Sequence, residues 1–167
     1  KGLFLMGMDM KYFFFHLLAG TILGLLIGDL LGDKRWVIPC AIGAGLPDLV
    51  DKPLWLVFQG IGTGRIYGHT LLAALALGIL GLLALKYRQS PVIAGVSAGV
   101  ISHQILDSMW LEPINWFYPA LGEFHRYDNG SDIISLLMSE ITNPVEIVLF
   151  IALCAGIGIL LSHDRVA

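Results

Sequence analysis

Long apolar runs separated by short charged punctuation organise this chain of 167 residues. A hydrocarbon layer about 30 Å thick is crossed by roughly 20 apolar residues in a helix, and five runs approach that length. The first, 12–31, follows Lys11 and is closed by Asp33, Lys34 and Arg35. It is too long for a removable signal peptide and has no small-residue cleavage site. The second, 36–50, is short, carries Pro39 and Pro47, and ends in the polar string Pro47 to Pro53. The third, 69–85, is closed by Lys86, Tyr87 and Arg88. The fourth, 90–110, opens on Ser90 as a cap with Pro91 at the first helical position. The fifth, 144–161, follows Asn143 and is closed by His163, Asp164 and Arg165. The pattern predicts an all-α fold: a polytopic membrane helix bundle of about five transmembrane helices, in one integral-membrane domain over 1–167. Two longer connections, 51–68 and 111–142, lie on one side of it, and 132–140 reads as a short interfacial helix.

Composition narrows the class. With 56% hydrophobic and 14% charged residues and a mean hydropathy of +0.78, the chain is neither disordered, nor a basic nucleic-acid-binding domain, nor a disulfide scaffold. The expected partner is the lipid bilayer, with no nucleic acid, and a net charge of −3 is too small to steer others. Cys40 and Cys154 sit inside apolar runs and are expected to be buried free thiols. Gly20, Gly24, Gly28 and Gly32 recur every four residues along the first helix, and Gly95 and Gly99 along the fourth. Because helices in lipid gain nothing by hiding apolar surface, such stripes are expected to mark close helix packing.

Ionisable side chains are costly in hydrocarbon, so their positions carry the functional signal. His16 stands near the start of helix one, Asp48 and Asp51 at the end of helix two, His69 at the start of helix three, and His103 and Asp107 near the end of helix four. With alternating helix direction, all six fall on one side of the membrane. His103 and Asp107, four apart, share a helix face and continue the Gly95 and Gly99 stripe; His16 continues the Gly20 stripe. His16, Asp48, His69, His103 and Asp107 therefore form a candidate ligand set for a divalent metal, one or two ions. Imidazole and carboxylate together suit zinc, with manganese or iron as alternatives. The plainer reading makes each His a hydrogen-bonded interface residue and each Asp a cap. Glu146, three after Asn143, has capping-box spacing. Asp29 and Asp33 are expected to pair with Lys34 or Arg35. His125 lies in the long site-side loop, while His163 is on the far side. Trp110, Trp116 and Tyr118 read as an interfacial aromatic belt, with a second use as a lid over an acyl or isoprenoid chain.

His16, then Leu46-Pro47-Asp48-Leu49-Val50-Asp51-Lys52-Pro53, then Gly64-Arg65 with Gly68-His69-Thr70-Leu71-Leu72, then His103-Gln104-Ile105-Leu106-Asp107 follow in order over about residues 10–120. This succession resembles the membrane-bound metal-dependent hydrolases of the YdjM type, and more distantly the zinc-dependent phospholipase C and S1/P1 nuclease group. The resemblance implies hydrolysis by metal-activated water, of a phosphoester in a lipid or other amphiphilic substrate. The HxxxE pair that completes the trinuclear site of the latter group is missing here, so one or two ions are implied rather than three. In that frame Asp48, His69, His103 and Asp107 hold one ion, and His16 supports it or holds a second that shares Asp107. Asp51 is then an orienting residue or general base, and Arg65 with Lys52 neutralises a phosphate or contacts lipid headgroups.

Other classes stay open: a divalent-metal or ion transporter, or a non-catalytic metal-binding membrane subunit. A transporter should place ligands near the midplane, whereas these crowd one face. Lys and Arg split evenly, with Lys34, Arg35, Lys86, Arg88 and Arg165 opposite the site and Lys1, Lys11, Lys52, Arg65 and Arg126 on its side. The two basic residues directly after helix one favour a cytoplasmic location for the opposite face, with the site facing outward.

Overall fold

In the computed structural model, residues 13–57, 64–124, 138 and 142–163 are described. Helix α1 is Phe13–Leu31, α2 Val37–Val57, α3 Leu71–Arg88, α4 Val92–Leu106, α5 the short Pro113–Trp116, and α6 Pro144–His163. Single 3-10 turns at Lys34–Trp36, Tyr67–His69 and Met109–Leu111 join them, and no strand occurs among the described residues. The all-α class and the five main helices thus agree with the hydropathy blocks. The expected interfacial helix at 132–140 lies almost wholly outside the described residues.

Glycine decides which helix is central. A Cβ on Gly24 would stand 2.6 Å from the Val37 Cα, and one on Gly99 would stand 2.6 Å from the Ala44 nitrogen. Gly20 and Gly95 meet α2 in the same way, at Cys40 and Pro39. Both stripes therefore face α2, which packs between α1 and α4; α3 leans on α4 and α6 on α1. Backbone-to-backbone approach of this kind maximises dispersion contact where lipid offers no hydrophobic drive. Gly32 breaks the stripe: it has φ of +66° and nothing within 4 Å of its would-be Cβ, so it serves the turn after α1 instead.

The burial pattern is inverted relative to a water-soluble protein. Leu30 is 83% exposed, Ile38 71% and Leu82 68%, while His16, Asp51, His69, His103, Gln104, Asn115 and Glu146 are all buried. Side chains that point outward are those hydrocarbon accepts, and the interior holds the polar groups. By length and hydropathy α1 and α3 are able to cross a membrane; α4 and the 144–156 part of α6 are shorter apolar helices.

Several boundaries differ from expectation, each for a local reason. The second helix does not end at residue 50 but runs to Val57 through Pro47 and Pro53. The polar residues that resembled a loop are instead held by the interior: Asp51 bonds to the backbone of 66–69, and Asp48 pairs with Lys52 one turn on at 3.1 Å. His69 precedes helix three rather than starting it, because Thr70 is the N-cap, its hydroxyl accepting from the Ala73 N–H at 3.1 Å. Pro91 is itself the N-cap residue of α4, not its first turn. Helix four stops at Leu106, since Ser108 takes a left-handed φ of +54°. Both cysteines are free, yet only Cys40 is buried; Cys154 is exposed, on a helix whose main packing partner among the described residues is α1.

Candidate metal centre

Four helical segments bring their polar residues to one end of the bundle. Asp51, fully buried on α2, accepts from the N–H groups of Ile66 (2.8 Å), Gly68 (2.8 Å) and His69 (3.2 Å). It also accepts a hydrogen bond from His69 Nδ1 at 2.7 Å. A carboxylate only accepts, so Nδ1 of His69 carries a hydrogen and Nε2 is the ring atom turned toward the cluster. The same logic applies to His103, whose Nδ1 donates to the Ala44 carbonyl at 2.6 Å. The two free Nε2 atoms then face one another at 3.0 Å. Two imidazole lone pairs at that separation repel unless a proton or a metal ion lies between them.

Carboxylates surround this pair. Asp107 Oδ2 is 3.6 Å from each Nε2, and Asp48 Oδ1 is 3.8 Å from His69 Nε2 and 4.0 Å from His103 Nε2. A tetrahedral ion with bonds of about 2.0–2.1 Å needs ligand atoms roughly 3.3–3.4 Å apart. The separations of 3.0 to 4.0 Å among the two histidines and either carboxylate bracket that value. Asp48, His69 and His103 form one close ligand group, and His16, His103 and Asp107 a second that shares His103.

His16 joins through Nε2, 3.1 Å from Asp107 Oδ1, with its ring 4.0 Å from that of His103. Its buried Nδ1 has no hydrogen-bond partner among the described residues. Arg65 reaches the remaining side of Asp107, with Nη2 at 3.2 Å from Oδ2, and binds Glu112 through Nη1 at 2.7 Å. Burial opposes protonation of the His69 ring, but hydrogen bonds to Asp107 and Asp51 and the charges of Asp51 and Asp48 outweigh it and raise its pKa to about 9. A metal ion binding at Nε2 must therefore displace a proton.

All six expected residues, His16, Asp48, Asp51, His69, His103 and Asp107, meet here. Lys52 lies beside them, paired with Asp48 and 5.8 Å from the Phe13 ring centre. Trp110 is half exposed. Trp116 donates its indole N–H to Gln104 at 2.9 Å, and Tyr118 stacks on Phe124 at 3.9 Å beside Tyr67. Asp33, just past the end of α1 opposite His16, pairs with Arg35 at 2.8 Å, which holds its carboxyl below the usual range through that side-chain hydrogen bond. His125 lies outside the described residues. Glu146 accepts from Phe14 N–H of α1 at 2.7 Å, and Asn143 caps α6 at Val145 N–H. Gln104, Glu112 and the Ala44 carbonyl were not legible beforehand. A buried amide next to His103 in an otherwise apolar helix was the signal available for Gln104.

A buried His and Asp cluster at one end of an inside-out helical bundle defines a helical membrane protein with a polar centre. Residues 10–164 match the model of the YdjM inner membrane protein family, and the chain belongs to that family. No curated protein and no solved structure matches it.

Proposed function

We propose that this protein is a membrane-embedded metal-dependent hydrolase acting on a phosphoester of a lipid or other amphiphilic substrate. The observation that carries the reading is the 3.0 Å approach of the His69 and His103 Nε2 atoms, both with Nδ1 already engaged, between the Asp48 and Asp107 carboxylates. These four residues would hold one divalent ion, zinc by donor set, with manganese or iron as alternatives. His16 supports it through Asp107 or takes part in a second site. Bound there, such an ion lowers the pKa of its water toward about 7 and polarises a phosphoryl oxygen.

The chain's own residues supply the rest. Asp51 and the Ala44 carbonyl set the tautomers of the two histidines, leaving Nε2 as the ligand atom in each. Asp51 acts as a positioning residue rather than a base, since its two oxygens already accept four hydrogen bonds. Arg65, held between Asp107 and Glu112, would neutralise a phosphate beside Asp107 as a nearby fixed cation. Lys52 adds a second cation beside Asp48. Trp110, Trp116 and Tyr118 would line an acyl or isoprenoid chain. In this reading the five main helices cross the bilayer, and the site opens away from the cytoplasm.

Elemental analysis of detergent-purified protein tests the centre. Wild type should carry about one divalent ion per chain, and Asp107→Ala and His69→Ala should lose it; a metal-free wild type overturns the reading. Hydrolysis of a phosphodiester reporter that persists in both variants overturns the enzymatic claim alone. Flux of the ion into proteoliposomes would favour transport instead.

A further inference from the structure

The loop that carries His69 is clamped from two sides. Asp51 of α2 binds its N–H groups, and its carbonyls are bound by another side chain, Gln104 of α4. The Gln104 Nε2 donates to Thr70 O at 3.0 Å and to Gly68 O at 3.3 Å, the two carbonyls flanking His69 in the chain. Its Oε1 accepts from Trp116 Nε1 at 2.9 Å. Gln104 is 3% exposed, so these bonds are made away from water. Only one amide orientation satisfies all three: an indole N–H requires the oxygen, and two carbonyls require the NH2 group.

From this we infer that Gln104 is a positioning residue for the metal centre, and that Trp116 fixes its amide. It follows His103 directly in sequence, so one turn of α4 supplies a ligand and also holds the segment bearing the opposing ligand. Asp51 sets the rotation of the His69 ring about its own axis. Gln104 sets the height of the His69 backbone relative to α4, and with it the 3.0 Å gap between the two Nε2 atoms. Trp116 adds a link to α5, which follows the Met109–Leu111 turn. With the indole donor gone, the buried Gln104 Oε1 loses its partner and the amide is held by its Nε2 bonds alone. The inference rests on the metal-centre reading and adds a residue to it.

Cobalt(II) serves as the probe, because its visible absorption bands report ligand geometry. The metal-stripped full chain in detergent is titrated with cobalt against a competing chelator, with helicity followed by circular dichroism. Gln104→Leu, close in volume but without donors, should bind cobalt roughly 10- to 100-fold more weakly, with shifted bands and unchanged helical content. Trp116→Phe, which keeps Gln104 and most of the ring volume, should show a smaller loss and a band shift in the same direction. Wild-type affinity and bands in either variant overturn the inference while leaving the metal centre standing. Should Gln104→Leu fail to fold, Trp116→Phe alone decides. A wild type that takes up no cobalt and no zinc overturns the inference together with the reading beneath it.

Discussion

Replacing Asp51 by Asn separates two roles that a buried carboxylate beside a metal centre can play. Three donors converge on Oδ2, from Ile66, the His69 backbone and His69 Nδ1, and one on Oδ1, from Gly68. An asparagine with its oxygen in the Oδ2 position keeps the first three. Its NH2 group then faces the Gly68 N–H at about the present 2.8 Å, donor against donor. One buried hydrogen bond is lost and one N–H left unsatisfied, which costs about 1–3 kcal/mol of stability. Asp51→Ala removes all four acceptor bonds and should cost about 3–5 kcal/mol, as for a broken buried pair. The functional effect follows from charge: His69 loses its anionic partner, Nε2 becomes a weaker donor, and metal affinity should fall about 10- to 100-fold. A general base would behave otherwise, with activity falling about 100- to 10,000-fold and metal affinity unchanged. Zinc competition titrations and thermal unfolding of detergent-purified Asp51→Asn measure both quantities. Wild-type zinc affinity in that variant would refute the positioning argument.

The remaining predictions follow from the same geometry. Gly99→Ala should destabilise the bundle by about 1–3 kcal/mol, because its Cβ would strike the immovable backbone at Cys40 and Ala44, as in an overpacked core. Gly156→Ala, with nothing within 4 Å, should be near neutral; equal melting temperatures for the two variants would contradict the packing assignment. Because the Asp107 and Asp51 carboxylates raise the pKa of His69, zinc binding should release a proton and apparent affinity should rise with pH, by up to tenfold per unit. A flat competition profile between pH 6 and 9 would contradict the displacement of a proton from His69. Glu146→Ala should cost about 0.5–2 kcal/mol by uncapping α1 at Phe14, and Glu146→Gln less, since an amide oxygen still accepts. Urea or thermal unfolding of the two variants checks the order.

What was legible in the sequence by itself is the scaffold and the membership of the site. An apolar block of about membrane thickness, such as α1 or α3, reads as a helix because backbone groups in lipid must be satisfied within the segment. Antiparallel alternation then carries His16, Asp48, His69, His103 and Asp107 to one end, and the spacing of four in His103 and Asp107 aligns them on one face. Only the tertiary structure decided how these residues are tuned. The tautomer of His103 depends on the Ala44 carbonyl, and a backbone group leaves no mark in residue type. Continuation of α2 past Pro47 depends on Asp51 finding donors 15 to 18 positions away. Glu146 was readable as a cap by spacing, but its partner Phe14 is 132 positions off. In each case local chemistry states what a side chain can bind, and packing between distant helices selects which partner it meets.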